Sequence, residues 1–188
     1  MPLPNVNTRD ALAARGYWQA FQRVKQSVEK VLGNQNAGLV ARTDHSAWYR
    51  ALFGPSVTAG LIRPADLAGY RNAPVYIRRS KHVPPRADAL RELMPAFFDL
   101  LQHEPEPAVR AVLGHFMFVY IHPYFDGNGR IGRFMMNVIM ASGGYPWTVV
   151  PLAQRSDYMA ALEQASSTQD IAPFARLLSS LVKHPEGP

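Results

Sequence analysis

The chain contains no cysteine, no apolar run long enough to cross a bilayer, no block of like charge and no low-complexity tract. Without thiols there is neither a disulfide framework nor a thiolate zinc site, which fits a reducing cytoplasm. The start, Met1-Pro-Leu-Pro-Asn-Val-Asn7, lacks the basic residues and apolar stretch of a secretory signal. No segment approaches the roughly 20 apolar residues of a membrane span, so no membrane partner and a cytoplasmic location are expected. The formal charge of +6 comes mostly from scattered arginines and forms no nucleic-acid-reading motif, so a nucleic-acid partner is not expected. What is present is ordinary for a folded domain. The 188 residues suffice for one sizeable core, and 47% hydrophobic against 18% charged residues excludes a disordered chain. No internal repeat or linker divides the chain, so 1–188 is read as a single domain.

One stretch organises the rest: His122-Pro-Tyr-Phe-Asp-Gly-Asn-Gly-Arg-Ile-Gly-Arg133, between the apolar runs 111–121 and 134–141. Proline disfavours helical angles at the residue before it, so the first helix should end at His122. Gly127 and Gly129 can take backbone angles closed to other residues, letting successive N–H groups face one anion. A helix opening at Asn128 to Arg130 adds its unpaired N–H groups and positive dipole end to the same pocket. Arg130 and Arg133, three apart, project from one face. Neutral imidazole can take a proton from a hydroxyl nucleophile. Asp126 can cap an Asx turn or, beside phosphates, hold Mg²⁺. Asn128 can be a turn residue or bind phosphate or ribose, and the two arginines suit phosphate oxygens. The inventory suits a metal-bound polyphosphate beside a general base.

The stretch resembles the signature of the Fic family, His-x-Phe-x-(Asp/Glu)-Gly-Asn-Gly-Arg-x-x-Arg. It matches at His122, Asp126, Gly127, Asn128, Gly129, Arg130 and Arg133, and departs at Tyr124, where an aromatic loop anchor is kept. The resemblance runs over about residues 40–182, with 1–39 an N-terminal helix and loop. It extends to Tyr70-Arg71-Asn72, Val75, Ile77, Ser80, His82 and Pro84-Pro85, which look like the family's flap. In the family that hairpin covers the active site and pairs with an extended target segment. The implied flap is Val75, Tyr76, Ile77, Arg78, Arg79, Ser80 and Lys81, with Arg79 where glycine is common.

The resemblance implies a mainly α, single-domain helical bundle with a small β-hairpin flap, and a transferase that moves AMP from ATP to a protein hydroxyl. His122 would be the base. Gly127, Asn128, Gly129, Arg130 and Arg133 would bind the nucleotide's phosphates, and Asp126 would hold Mg²⁺. The partner would be a protein bearing a Ser, Thr or Tyr hydroxyl. Rival readings are transfer of another nucleotide or a phosphate-containing group, removal of AMP, and a non-catalytic nucleotide- or DNA-binding module. Gly129 argues against the phosphate-transferring relatives, which the resemblance implies would carry lysine there. The family's inhibitory pattern, (Ser/Thr)-x-x-x-Glu-(Gly/Asn), is not met: the only Glu-Gly is Glu186-Gly187, with Val182 at the hydroxyl position. Inhibition is therefore expected from another protein or from a segment outside these residues.

Elsewhere the periodicity predicts a helix over 8–32 capped by Thr8, a loop over 34–43, and a short helix from Asp44 to Phe53 ended by Gly54-Pro55. It predicts further helices over 86–102, bent at Pro95, and over 108–121, the latter apolar nearly all round and so central. Residues 145–152 read as an extended connector, 157–166 and 171–182 as closing helices. Trp18, Trp48 and Trp147 are assigned to the core and His115 to a hydrogen-bonded core position.

Overall fold

The computed structural model describes residues 6–182, and side chains from residue 8; Met1 to Asn5 and the Glu186-Gly187 pair lie outside the described residues. The described residues form seven α-helices: α1 (Val6–Leu32), α2 (Ala37–Thr58), α3 (Leu90–His103), α4 (Pro107–Ile121), α5 (Asn128–Ala141), α6 (Arg155–Thr168) and α7 (Ala172–Leu181). Short 3₁₀ turns at Pro64–Leu67, Ala87–Ala89 and Leu152–Gln154 join them. Helices α4 and α5 pack on each other at the centre. The α1–α2 pair covers α5 on one side, α3 bridges α2 and α4, and α6 with α7 closes the other side of α4.

The first two helices are longer than their periodicity suggested. Thr8 lies inside α1 rather than at its cap. The polar stretch 34–43 is mostly helix: Asn36 is the N-cap of α2, its side-chain oxygen accepting the Leu39 N–H at 2.9 Å. Asn36 also donates to the Gln102 carbonyl at 3.0 Å, which ties the start of α2 to the end of α3. Asp44, freed from capping, sits mid-helix, where it accepts from Ser27 and Lys30 of α1, and Trp48 donates to the same Ser27 hydroxyl. Burying Trp48 while satisfying its indole N–H fixes α1 against α2. Pro55 does not end α2, which runs on to Thr58.

Helix α5 is the enclosed one, with ten of its residues buried, Ile131, Phe134, Met135 and Met136 among them. Helix α4 buries one face only, through Ala111, Gly114, His115, Phe118 and Ile121. Its apolar outer side is covered in part by the flap segment and by α6 and α7. Trp48 is buried, but Trp18 and Trp147 are exposed on the surface. Trp147 instead meets Phe21 edge-to-face, centroids 5.1 Å apart.

The expected flap hairpin is not formed: among the described residues there is no β-strand. Residues 71–86 run as an irregular extended segment with one turn, closed by Ser80 N–H to Ile77 O at 3.1 Å. The segment holds its shape by side-chain ties to the helices below it instead of by a ladder. An isolated two-stranded hairpin is marginal in water, and three prolines at 74, 84 and 85 remove ladder donors. Described helices include none long and apolar enough to cross a membrane.

Candidate active site

Helix α4 ends where Pro123 demands it, and the ending is what presents His122. The histidine takes left-handed angles, φ 53° and ψ 58°, while its N–H still reaches Phe118 O at 3.0 Å. Its Nδ1 lies 3.0 Å from Val119 O. A carbonyl only accepts, so Nδ1 carries the proton and Nε2 keeps a lone pair. Burial lowers the pKa from 6.5 against the bond to Val119 O, and the neighbouring Arg71 and His82 push the same way as burial. A neutral imidazole with one free basic nitrogen is the result at pH 7.

The loop from Pro123 to Gly127 is rigid for reasons seated in aromatic packing and one asparagine. Tyr124 is buried and stacks on Tyr49 of α2, with centroids 3.7 Å apart and planes 8° from parallel. Asn128 is buried too, and its amide closes a ring with the Tyr124 main chain. Oδ1 accepts from Tyr124 N–H at 2.9 Å, and Nδ2 donates to Tyr124 O at 2.8 Å. The Asn128 side chain is thereby spent on loop shape, leaving only its backbone N–H to face a ligand.

Gly127 is the N-cap of α5 at φ 82°, a region that favours glycine. A Cβ there would lie 2.9 Å from the Phe53 ring. The Gly127 N–H is taken by Asp126 Oδ1 at 2.6 Å, and the first intrahelical bond is Ile131 N–H to Gly127 O at 2.9 Å. The N–H groups of Asn128, Gly129 and Arg130 precede that bond and sit at the positive end of the helix. At Gly129 an added Cβ would meet only Arg133 Nη1, at 3.5 Å. So the amide cradle opens to free space.

Charge surrounds that opening. Arg130 lies over the Phe53 ring, 5.2 Å from its centroid, and pairs with Asp126 at 3.1 Å. Asp126 is itself exposed, with one oxygen on Gly127 N–H and one on Arg130. Arg133 lies deeper, near His115 and Tyr158: burial lowers the His115 pKa and the Arg133 charge adds to that, while burial raises the Tyr158 pKa and the same charge opposes it. His115 is fully buried and bonds the Tyr158 hydroxyl at 2.8 Å, as a core histidine should.

Several residues that shape the site carry little signal in sequence. Arg71 is buried and reaches the carbonyls of Ala73, Pro85, Ile121 and His122, while its own N–H meets Pro123 O at 2.8 Å. His82 stacks on Tyr120 and contacts Tyr120 O at 2.8 Å. Glu163 of α6 accepts from Ser80 Oγ at 2.5 Å and Lys81 N–H at 2.8 Å, pinning the flap turn. These two bonds hold its carboxyl below the usual range. Arg71 could be flagged from Tyr70-Arg71-Asn72; Glu163 reads as one more solvated helix charge. Of the flap residues, Tyr76, Arg78, Arg79 and Lys81 are exposed and Val75, Ile77 and Ser80 are partly covered. Arg79 stands at φ 63°, a glycine-favouring angle. A cavity of about 500 Å³ lies between this turn and α6, lined by Ile77, Arg79, Val119, Met159 and Leu162 among others.

One carboxylate is the right donor set for Mg²⁺ only if phosphates complete it, since Mg²⁺ keeps waters and takes one or two carboxylates plus phosphate oxygens. Asp126 fits that role, and no cluster of three or more ligating side chains exists among the described residues.

The Fic/DOC family model matches residues 41–140. A "Protein adenylyltransferase Fic" from Nematostella vectensis is 40% identical over 124 residues, 64% of this chain and 28% of that protein. Its namesake from Drosophila willistoni is 38% identical over 124 residues, covering 24% of its length. The chain thus spans about a quarter of these relatives. The structure of Fic-1 (residues 134–508) from C. elegans superposes with a TM-score of 0.77 at 25% identity, covering 96% of this chain and 51% of that one. A Fic-domain signalling protein from Bacteroides thetaiotaomicron shares the fold, with a TM-score of 0.73 at 20% identity. With its motif assembled at the junction of α4 and α5 and the family match spanning more than half its length, the chain belongs to the Fic/DOC family.

Proposed function

We propose that the protein is an adenylyltransferase that moves AMP from Mg²⁺-ATP to a Ser, Thr or Tyr hydroxyl of a target protein. The observation that carries the reading is the free Nε2 of a neutral, tautomer-fixed His122 beside the open first-turn amides of α5. A binding module needs the amides but has no use for that base. The names of the relatives, protein adenylyltransferase Fic, support AMP as the group transferred.

In this mechanism the ATP phosphates lie on the N–H groups of Asn128, Gly129 and Arg130. Arg130 and Arg133 neutralise the outer phosphates. Asp126, released from Arg130, would hold Mg²⁺, which when bound would supply charge neutralisation to the phosphates. The target hydroxyl oxygen attacks the α-phosphorus in line, its proton passing to His122 Nε2. The new O–P bond forms as the bond to the β-phosphate oxygen breaks, and pyrophosphate leaves. Positioning and charge supply most of the rate, as in phosphoryl transfer generally. The cavity beside the flap turn takes the nucleoside. The extended backbone of Val75 to Ile77, ahead of the turn at Arg78 and Arg79, aligns the target segment by strand addition. Arg78, Arg79 and Lys81 present an exposed cationic edge to it. Restraint of the activity is assigned to an inhibitory partner or to a segment beyond these residues.

The test is ATP labelled in the α- or the γ-phosphate, incubated with the protein, Mg²⁺ and a cell lysate. Label from the α position on protein, with none from the γ position, is the expected result. Label from the γ position alone makes the protein a phosphate-transferring relative and sinks the reading.

A further inference from the structure

We propose that Arg71 is a positioning residue for His122, with the flap segment serving through Arg71 and His82 as the C-terminal cap of α4. The inference rests on the reading of His122 as the base. The last carbonyls of a helix have no intrahelical donor and carry its negative dipole end. In α4 and the two residues after it, every one of them is met. Val119 O accepts from His122 Nδ1 at 3.0 Å. Tyr120 O accepts from His82 Nε2 at 2.8 Å. Ile121 O and His122 O accept from the Arg71 guanidinium at 3.4 and 2.8 Å, and Pro123 O from the Arg71 N–H at 2.8 Å. Of five donors, four come from residues 71 and 82, at the two ends of the flap.

The same guanidinium also grips the flap itself, at Ala73 O (3.1 Å) and Pro85 O. Arg71 is 2% exposed, and all its partners among the described residues are carbonyls rather than carboxylates. An arginine buried for ordinary ion pairing would have an acid beside it. This one instead spans the two ends of the flap segment and the end of the base-bearing helix, a task that needs the planar fork and that a lysine point charge cannot perform. It holds the His122 carbonyl while that residue sits in left-handed angles, which cost a non-glycine residue free energy unless the surroundings impose them.

A second consequence is electrostatic. A helix C-terminus favours the protonated form of a histidine placed there. Burial, the largest effect, disfavours it, and Arg71 and His82 add to that from the flap, while the Val119 carbonyl and Asp126 favour it. Arg71 thus helps burial keep His122 neutral and able to accept a proton.

Two variants and a titration test the proposal. In Arg71→Met, the fork and the charge are gone. Self-adenylylation should slow about a hundredfold, the loss expected when a reacting group shifts by about an ångström, with the KM for ATP changing little. The His122 pKa, followed by imidazole NMR, should rise. Added guanidinium ion at non-denaturing concentration should restore part of the rate in Arg71→Met and none in His122→Ala. Arg71→Lys keeps the charge without the fork, so the rate should fall while the His122 pKa stays low, and the hydrogen-bonded Nδ1–H signal should shift. Melting temperatures taken in parallel give the folded fraction. An unchanged His122 titration in Arg71→Met, or an Arg71→Lys variant with native rate and native Nδ1–H signal, overturns the proposal. Should Arg71→Met not fold, Arg71→Lys decides alone. The NMR arm needs no turnover, so a native protein that transfers nothing would sink the functional reading and leave this one to the titration.

Discussion

Two glycines two positions apart should respond in opposite ways to the same methyl group. Gly127 stands at φ 82°, and a Cβ there lies 2.9 Å from Phe53 Cε2 and 3.2 Å from Leu52 Cδ2. Holding alanine in the left-handed region costs about 1–2 kcal/mol, and overpacking Phe53 and Leu52, both in the core, adds about 1–3 kcal/mol. Gly127→Ala should therefore lose about 3 kcal/mol, which for a chain of this length lowers the melting temperature by about 6–12 °C. Gly129 lies within the first turn of α5, and a Cβ meets nothing closer than Arg133 Nη1 at 3.5 Å. Alanine is the better helix former by up to about 1 kcal/mol, so Gly129→Ala should be as stable as the native protein or slightly more so. Its methyl would instead stand where phosphate must approach the amides, and ATP binding should weaken about tenfold or more. Thermal melts and calorimetric titration with ATP analogues read both. A Gly129→Ala protein that melts as low as Gly127→Ala, or one that binds ATP with native affinity, refutes the cradle geometry.

Other expectations follow from the same coordinates. His45 and His115 are buried and neutral, with pKa values lowered by burial from 6.5 to about 4. Because the unfolded chain takes up those protons first, stability is full above pH 6.5 and is lost as pH falls toward 4, by about 3 kcal/mol for each histidine. Denaturant midpoints across that range should fall with pH, and a flat profile contradicts it. His122, also lowered by burial, should place the acid limb of kcat/KM below pH 6.5; a limb at or above that value counts against it as the base. Removing the latch with Glu163→Ala should speed hydrogen exchange at the Lys81 amide and raise the KM for both target and ATP, since Glu163 and Ser80 also line the nucleoside cavity. A native KM for ATP would mean that this cavity does not take the nucleoside.

The local motif was legible because its residues act through backbone rules. Pro123 ends α4 at His122, and Gly127 opens α5, both on grounds that hold in any fold. Tyr124 could be named as an anchor, but its partner Tyr49 sits 75 positions earlier and leaves no local trace. Asn128 was open between ligand and loop roles, and the long-range burial of Tyr124 engages its side chain in the loop. The flap failed as a strand prediction for the opposite reason. Val75-Tyr76-Ile77 has β propensity, but its order here comes from Arg71, His82 and Glu163, residues whose partners lie 38 to 83 positions away apart from the flap ends themselves. Both ends of helix α2 escape its periodicity, since Asn36 caps it with help from Gln102 of α3 and Pro55 is tolerated within its final turns. Trp18 and Trp147 were assigned to the core by residue type, which carries no information on which face of a helix or connector meets solvent.

The most direct test is the intact mass of the purified protein after incubation with ATP and Mg²⁺, measured beside His122→Ala. The account predicts one or more adenylyl groups on the native protein and none on the variant. A gain of phosphate instead, or an equal adenylyl gain on His122→Ala, would contradict it.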